Sequence, residues 1–491
     1  MGALEFDRTA PKGSDEWLLR KLHASLNAQA EIPSGRVCYA TRRGRSRLDW
    51  LNTLWAYFQG DPPLQQLDRE RAEDLREFIR MGRANYGHVT VSAMLDRITL
   101  LGARTDGDSD ANGDDTLRRI LSLSGPWLRD ALTFTFAMGG GLVMIGEGDE
   151  PDVPVVTAED PRLCAYITDP LDPTRVKHAL KTYVDEDNVK TAHLFTGDRG
   201  KERVRVATLG SNGWEWDESR SGPLKVQGLG LPLVPLENPF GLGEFEPHLD
   251  VLDRINNMIA DRLWTSKIQA FRQRALESTG TDAEPIPEKD EAGNTIDAND
   301  LFRSAPDAMW DLPPGRKIWE STPVDVQGVL ASVRDDVKEY AAVSQTPLFM
   351  FTPDAASGSA EGASSMKETL ELKCKDRIDR FTPAVRRIVR HLFAYAGETV
   401  PKEIDVLWAP VERYSLSQRT SAAAQAATAK VPLETILSEI LQFTPETVRR
   451  ALDQRVEEML LIEAAAPAAP ARTTAPVAPA TGSVVPVVPN A

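Results

Sequence analysis

The sequence predicts an α+β protein, mainly helical, and three observations carry that reading. Apolar residues recur at three- and four-residue spacing over long stretches, most clearly Leu249–Ser278, Asp325–Gln345 and from Met366 onward. One central stretch, Val153–Val234, alternates instead and is cut by turn residues, as β-strands are. Charged residues make up 26% against 41% hydrophobic, which fits a soluble chain of 491 residues with a large core and several domains.

The first residues, to about Pro33, read as a loose lead-in with one amphipathic helix near Asp15–Ala28. SRLDWLNTLWAYFQGDPPL is a helix with Leu48, Leu51, Leu54, Trp55 and Phe58 on one face, ended by Gly60 and then Pro62 and Pro63. Met81–Leu101 reads as a helix with Asn85 and Tyr86 near its start, passing into a β-prone end. ARTDGDSDANGDD is a solvated acidic loop. It lacks the closing Glu of a calcium loop and is not assigned a metal. Thr116–Ala137 returns to helix with Trp127, Phe134 and Phe136, and GGGLVMIGEG reads as a strand entered through glycines.

The alternating segments VPVVTAED, LCAYITDP, HALKTYVD, KTAHLFTG, RVRVATLG and GWEWDE form a meander, expected as one sheet packed on the flanking helices. GLPLVPLENPFGLGEFEPHL then leads into a helix over Leu249–Ser278, with Leu249, Leu252, Ile255, Ile259 and Leu263 on one side. Thr279–Asp325 is loop-rich, with 11 acidic against 4 basic residues, a net of -7, and reads as a separate acidic subdomain.

The stretch Asp325–Gly397 reads as helix, polar loop, helix. Val326, Val329, Leu330, Val333, Val337, Tyr340 and Ala341 make one buried face, opposite Arg334, Asp335, Asp336, Lys338 and Glu339. Pro347 stops this helix by removing a donor and pushing Thr346 out of helical geometry. After Leu348–Phe351 comes TPDAASGSAEGASS, too poor in apolar residues to fold alone. Ser364 or Ser365 is the expected N-cap of the next helix, with Met366, Leu370, Cys374, Ile378 and Phe381 along one face. EIDVLW is a short strand, SLSQRTSAAAQAATAKV an Ala-rich helix, and Val431–Ala465 supplies two more. Beyond Ala464 the Ala/Pro/Val/Thr composition predicts a disordered tail.

Chemistry signals are sparse. The chain has no P-loop, no HExxH and no GxSxG, and Gly139–Gly141 lacks the dinucleotide fingerprint. Ser364–Lys367 spells SxxK, but the partner motifs are absent and a helix cap explains the serines. Cys38, Cys164 and Cys374 match no ligand spacing and read as buried free thiols, and the six histidines are scattered. No run approaches membrane-spanning length and the first twenty residues lack a signal-peptide core, so cytoplasm-like conditions are expected. A net charge of -16 disfavours tight or sequence-specific DNA binding, while leaving room for a protein past which DNA must slide.

The order of these parts resembles the portal proteins of tailed bacteriophages, the head-to-tail connectors, in the group typified by the phage SPP1 portal. LDWLNTLWAYFQGDPPL looks like the early helix and its turn. GPWLRDALTFTFAMGGGLVMI with the β region resembles the wing, and LVPLENPFGLGEFEPHLDVLDRINNMIADRLWTSKIQAFRQRAL the approach to the first stem helix. VRDDVKEYAAVSQTPLFMFTPDAASGSAEGASSMKETLELKCKDRI resembles second stem helix, tunnel loop and long helix, and VLWAPVERYSLSQRTSAAAQA the stretch before the crown. The acidic insert is short for a clip, and the C-terminus is low in complexity.

The resemblance implies a wing at 1–247, a first stem helix at 248–278, a clip at 279–325 and a second stem helix at 326–345. It further implies a tunnel loop at 346–365, a long helix and wing or crown base at 366–414, crown helices at 415–463 and a tail at 464–491. It implies a homo-oligomeric ring, dodecameric in the usual case, at one capsid vertex, through which double-stranded DNA is packaged and ejected. Gln345, Thr346, Thr352, Asp354, Ser357, Ser359, Glu361 and Ser364 would then face the DNA channel. Glu288, Asp290, Glu291, Asp300, Trp310 and Trp319 would dock the terminase large subunit and the head-tail adaptor. Major capsid and scaffolding proteins are further implied partners; no catalytic residue, cofactor, metal or membrane is. The place implied is the virion, after synthesis in the host bacterial cytoplasm. Two rival readings are another ring-forming virion protein (an adaptor or minor head protein) and an enzyme with a site in the β region.

Overall fold

The computed structural model describes residues 10–27, 46–63, 72–105, 115–121, 125–150, 152–172, 174–197, 200–211, 213–270, 274–278, 316–320, 326–352, 360–412, 416–443 and 445–465. It divides into two units, residues 1–415 and 416–491. Cys38, the acidic loop at 106–114 and the tail beyond residue 465 lie outside the described residues.

The N-terminal half of the first unit alternates short helices with strands. Its helices are α1 (Asp15–Asn27), α2 (Arg47–Gln59), α3 (Ala72–Met81) and α4 (Tyr86–Leu95), followed by strand β1 (Leu100–Thr105) and helices α5 (Asp115–Ile120) and α6 (Trp127–Met138). Helix α2 starts where the Ser46 hydroxyl accepts the Asp49 N–H at 3.2 Å, and stops at Gly60, which takes a left-handed φ of 80°. There Asp61 N–H reaches back to the Ala56 carbonyl at 2.8 Å, as in a glycine-terminated Schellman cap. The single helix expected over Thr116–Ala137 is two helices, α5 and α6. Gly125 and Pro126 stand between them, and Pro126 caps the start of α6, where a missing N–H leaves no helical bond unmade.

Strands β2 (Gly140–Gly146) through β9 (Leu233–Glu237) form two sheets, not the single one expected from alternation. In between run β3 (Val155–Glu159), β4 (Cys164–Thr168), β5 (Val176–Val184), β6 (Lys190–Thr196), β7 (Arg203–Gly210) and β8 (Gly213–Pro223). One sheet has the order β3-β2-β9 and the other is the antiparallel meander β4-β5-β6-β7-β8. The break falls at Asp160–Pro161, where proline interrupts the ladder and the Asp160 carboxylate accepts the Arg162 N–H at 2.8 Å to turn the chain.

The meander is covered on both faces. Leu18, Leu19, Leu22 and Leu26 of α1 pack with Leu180, Leu194 and Ala207 on one side, while Ala179 and Phe195 join Leu142, Leu231 and Leu233 on the other. Successive residues of a strand point to opposite faces, so neighbours such as Leu194 and Phe195 serve two cores.

Beyond β9 come helix α7 (Leu249–Ala270), strands β10 (Arg274–Ser278) and β11 (Arg316–Glu320), helix α8 (Val326–Val343), helix α9 (Ala360–Tyr395) and strand β12 (Ile404–Trp408). At 36 residues, α9 is a rod about 54 Å long. It lies along β2, β9 and β12, and β12 pairs antiparallel with β1. The central core gathers Leu54, Met94, Leu132, Phe136, Tyr340, Phe381 and Leu392 from helices scattered along the chain, with Phe245 from the bend before α7.

Two expected boundaries move. The helix expected to run to Ser278 ends at Ala270, and Arg274–Ser278 pairs with Arg316–Glu320, setting Arg274 opposite Glu320 and Glu277 opposite Lys317. A hydrogen-bonded partner strand far along the chain overrides the local helical pattern. The helix expected to begin at Ser364 or Ser365 begins at Ala360, because a long helix adds a turn of Ala and Glu at little cost once nucleated. The face forecast for α8 holds over its second half, where Val333, Val337, Tyr340 and Ala341 are buried; Val329 and Leu330 are half-buried, and the side chain of Val326 lies outside the described residues.

The second unit contains helix α10 (Leu416–Thr428), a turn of helix at 433–435 continuing into a π-helical stretch at 436–440, and helix α11 (Pro445–Ala465).

Candidate functional site

The helices α7 and α8 pack side by side, with the antiparallel strand pair β10 and β11 between them in the chain. Leu252 and Ile255 of α7 and Val337 and Tyr340 of α8 enter the same apolar core. Across the outer side of the pair, Arg254 bonds Asp336 at 3.1 Å and Glu339 at 2.6 Å. That surface link contributes little beside the apolar contacts, since exposed pairs are screened by water.

Where α8 ends, the chain is tied down twice. The helix closes with Gln345 in the left-handed region at φ 56°, the Thr346 N–H on the Ala341 carbonyl at 3.0 Å and the Gln345 N–H on Ala342 at 3.3 Å. This is the same double cap as in α2, with glutamine in the place glycine usually takes. The first tie is aromatic: Tyr340 shares a hydrogen bond with the Thr90 hydroxyl at 2.8 Å. The ring of Phe351 then meets Tyr340 and Tyr86 edge-on, with centroids 5.5 and 5.4 Å away. Burial drives the Tyr340 phenol well above its ordinary pKa, so it serves as a neutral anchor.

The second tie is ionic. Lys373 of α9 donates to the Ser344 carbonyl at 2.9 Å and to Glu244 at 2.8 Å, and Glu244 also receives Arg377 Nε at 2.8 Å and Asn238 Nδ2 at 2.9 Å. The Glu244 N–H donates to the Phe136 carbonyl of α6 at 2.7 Å. Burial pushes the Glu244 carboxyl up, but the Lys373 and Arg377 charges outweigh it and hold it below its ordinary value. Two residues on, Glu246 has no cation. It accepts Trp50 Nε1–H and the Gly243 N–H, both at 2.8 Å, and burial raises its carboxyl to about 7.

The residues expected to face a channel fall into three groups. Gln345 is exposed at the α8 cap, and Thr352 is half-buried with its hydroxyl on the Leu348 carbonyl at 3.3 Å. Thr346 is buried at 3% exposure, which corrects its assignment to an open lining: assembly only removes further surface. Its burial follows from the cap, which folds its N–H and hydroxyl back onto α8. Asp354, Ser357 and Ser359 lie outside the described residues. Glu361 and Ser364 belong to the first turns of α9 rather than to a loop.

Of the residues expected to dock partners, Trp319 is on β11 and 53% exposed, while Glu288, Asp290, Glu291, Asp300 and Trp310 lie outside the described residues. Sequence reasoning missed Glu244, Lys373 and Arg377. The available signal was a pair of cations one turn apart, Lys373 and Arg377, flanking the apolar face that carries Leu370, Cys374 and Phe381.

Cys164 and Cys374 are free and buried, and burial pushes both thiols up to about 12. Among the described residues no group of His, Cys, Asp and Glu is placed to hold a metal ion, and no helix is long and apolar enough to cross a membrane.

Residues 125–465 match the family model described as phage portal protein, SPP1 Gp6-like. No curated protein matches the chain. Among solved structures, a chain of the virion of the native gene transfer agent (GTA) particle is similar at 11% identity and a TM-score of 0.36, over 78% of this chain and 95% of that one. A chain from the neck of the native GTA particle, computed with C12 symmetry, is similar at 10% identity and 0.38, over 79% and 97%. One from the neck of the empty GTA particle, computed with C6 symmetry, is similar at 14% and 0.40, over 76% and 94%. The family match covers more than half of the chain, from the helix before the first sheet to the end of α11, and so this protein belongs to the SPP1 Gp6-like phage portal family, structural connectors of the virion.

Proposed function

We propose that copies of this chain form a ring at one capsid vertex, dodecameric in the family's usual pattern, and that double-stranded DNA enters and leaves through its centre. The family membership supports this reading, and one structural observation carries it to particular residues. The chain after α8 is fixed as far as Phe351 by the Tyr340 cluster and the Lys373 bond, and it resumes as helix at Ala360. The tied take-off and the helical return bracket residues 353–359, the stretch PDAASGS, and that stretch is the one assigned here to the channel.

In this reading α7 and α8 are the stem helices, and residues 353–359 are the tunnel segment that touches DNA. The acidic stretch 279–325, flanked by β10 and carrying β11, is the clip that docks terminase and later the head-tail adaptor. Residues 1–247 serve as the wing, and capsid and scaffolding proteins contact the outer surface. The loop PDAASGS carries Asp354 and no cation. Each neutralised phosphate would release counterions and add affinity, so a basic lining would stall a moving duplex. A weakly repulsive one lets it pass. The chain has no P-loop, which fits a conduit driven by a separate motor.

The test is Asp354→Lys with Glu361→Lys in an infecting phage. Intact rings that package DNA slowly or not at all are the expected result. Normal packaging overturns a DNA-facing loop, and a monomer by light scattering overturns the ring itself.

A further inference from the structure

A carboxylate in the turn GDRGKER between β6 and β7 would ordinarily be solvated, yet Glu202 is fully buried. Backbone holds it there. Its oxygens accept three N–H groups, each at 3.0 Å: Gly200 and Gly228 on Oε2, and Gly230 on Oε1. These glycines take positive φ values of 81°, 88° and 91°, the left-handed backbone that lets neighbouring N–H groups converge on one anion. Burial pushes the Glu202 carboxyl up, and the backbone donors, Gly228 foremost, outweigh it and hold it below its ordinary value.

The main chain of Glu202 is bound as well. Its N–H donates to Gln227 Oε1 at 2.9 Å, and its carbonyl accepts Gln227 Nε2 at 2.7 Å and the Leu224 N–H at 3.0 Å. Gly197 makes room for the side chain, since a Cβ there would meet Glu202 Cγ at 2.8 Å. The turn between β6 and β7 and the loop LKVQGLGL (224–231) therefore close on a single residue.

That loop has a divided task. Val226 is buried in the central core with Leu229 against it, whereas Leu231, with Leu224 against it, belongs to the core between the meander and β2. The loop then runs into β9, which pairs with β2. Gly228 and Gly230 can turn in either sense, so their own sequence does not decide which side chain enters which core. A buried anion that needs both N–H groups does decide it, because leaving the charge without them is costly.

We propose that Glu202 is a latch: its carboxylate, seated in a nest of backbone N–H groups, sets the course of residues 224–231 and so joins the meander to the sheet β3-β2-β9. The nest is a small-anion site that the chain fills with its own side chain. This latch stands whether or not the ring forms.

The experiment follows amide exchange by mass spectrometry in the full chain, comparing peptides over residues 224–231 with peptides over β7. Glu202→Gln and Glu202→Ala are expected to speed exchange over 224–231 by roughly tenfold, the scale of one lost charge-assisted hydrogen bond, and to leave β7 unchanged. Sodium acetate is expected to restore protection in Glu202→Ala, and sodium chloride at the same concentration is not. Unchanged exchange over 224–231 overturns the latch, as does a rise spread evenly over the meander. A local rise that acetate leaves untouched overturns the nest as an anion site. Should Glu202→Ala fail to fold, Gly197→Ala keeps the carboxylate and crowds its Cγ; the same local rise is expected, and its absence overturns the proposal.

Discussion

Lys373 and Glu244 lie 2.8 Å apart and 129 positions apart in sequence (373 - 244), and the same ammonium holds the last carbonyl bond of α8 at Ser344. One side chain thus fixes a buried carboxylate on the approach to α7 and the end of α8.

Replacing Lys373→Met leaves Glu244 with Arg377 and Asn238, one cation instead of two, and the Ser344 carbonyl without this donor. A loss of about 3 kcal/mol is expected, as for other broken buried pairs. Amide exchange over residues 344–352 should rise more than over α6. The pH dependence has a definite sign. The folded pKa of Glu244 is below its ordinary value of 4.5, so its contribution is fully present above that pH and is lost as pH falls through the lowered folded value. The Lys373→Met protein should lose part of that acid-side slope in urea titrations at pH 3–5 (a range set by roughly the ordinary carboxylate pKa).

Glu246 works in the opposite direction. Its carboxyl rises from 4.5 to about 7, so the folded chain binds a proton that the unfolded chain releases. Stability from this group is greatest below pH 4.5 and falls until pH passes about 7. Glu246→Gln should flatten the stability profile across that window, with a gain on the order of 2 kcal/mol near pH 8. One acceptor for Trp50 or Gly243 is lost, at about 1 kcal/mol, and that loss shows at pH 5. Urea midpoints at pH 5 and pH 8 read both effects; parallel profiles for the two proteins would dispose of the assignment.

Gln345 occupies a position that glycine fills without strain. Gln345→Gly should stabilise by about 0.5–1 kcal/mol, because left-handed backbone costs an L-residue more than glycine loses in chain entropy. Gln345→Val should destabilise by about 1–2 kcal/mol, since a branched Cβ crowds the backbone there. Denaturation midpoints give the order Gly above Gln above Val, and any other order removes the cap.

The parts of this chain governed by neighbours in sequence were legible. The α8 face, the Gly60 stop of α2, the glycine entry to β2 and the alternation of β5 to β7 follow from local spacing and turn chemistry. What failed depended on distant partners. The end of α7 is set by Arg316–Glu320, which pairs with Arg274–Ser278. The break between the two sheets is set by β2, which takes β3 on one edge and the distant β9 on the other. For the site, the helix pair was visible as pattern, while most of the loop expected after it lies outside the described residues. The Glu244 cluster was not, because lone charges in a loop and on a helix look solvated until folding brings them together. Thr346 was misjudged for a simple reason: a polar residue after a helix looks exposed, and the cap geometry buries it.

The α7–α8 pair has a mechanical consequence. The end of α8 is held to α4 through Tyr340 and Thr90 and to α9 through Lys373, and the same ammonium reaches Glu244 ahead of α7. A pull on the chain at Thr352 is therefore shared among three distant parts of the fold instead of peeling the last turn of α8 alone.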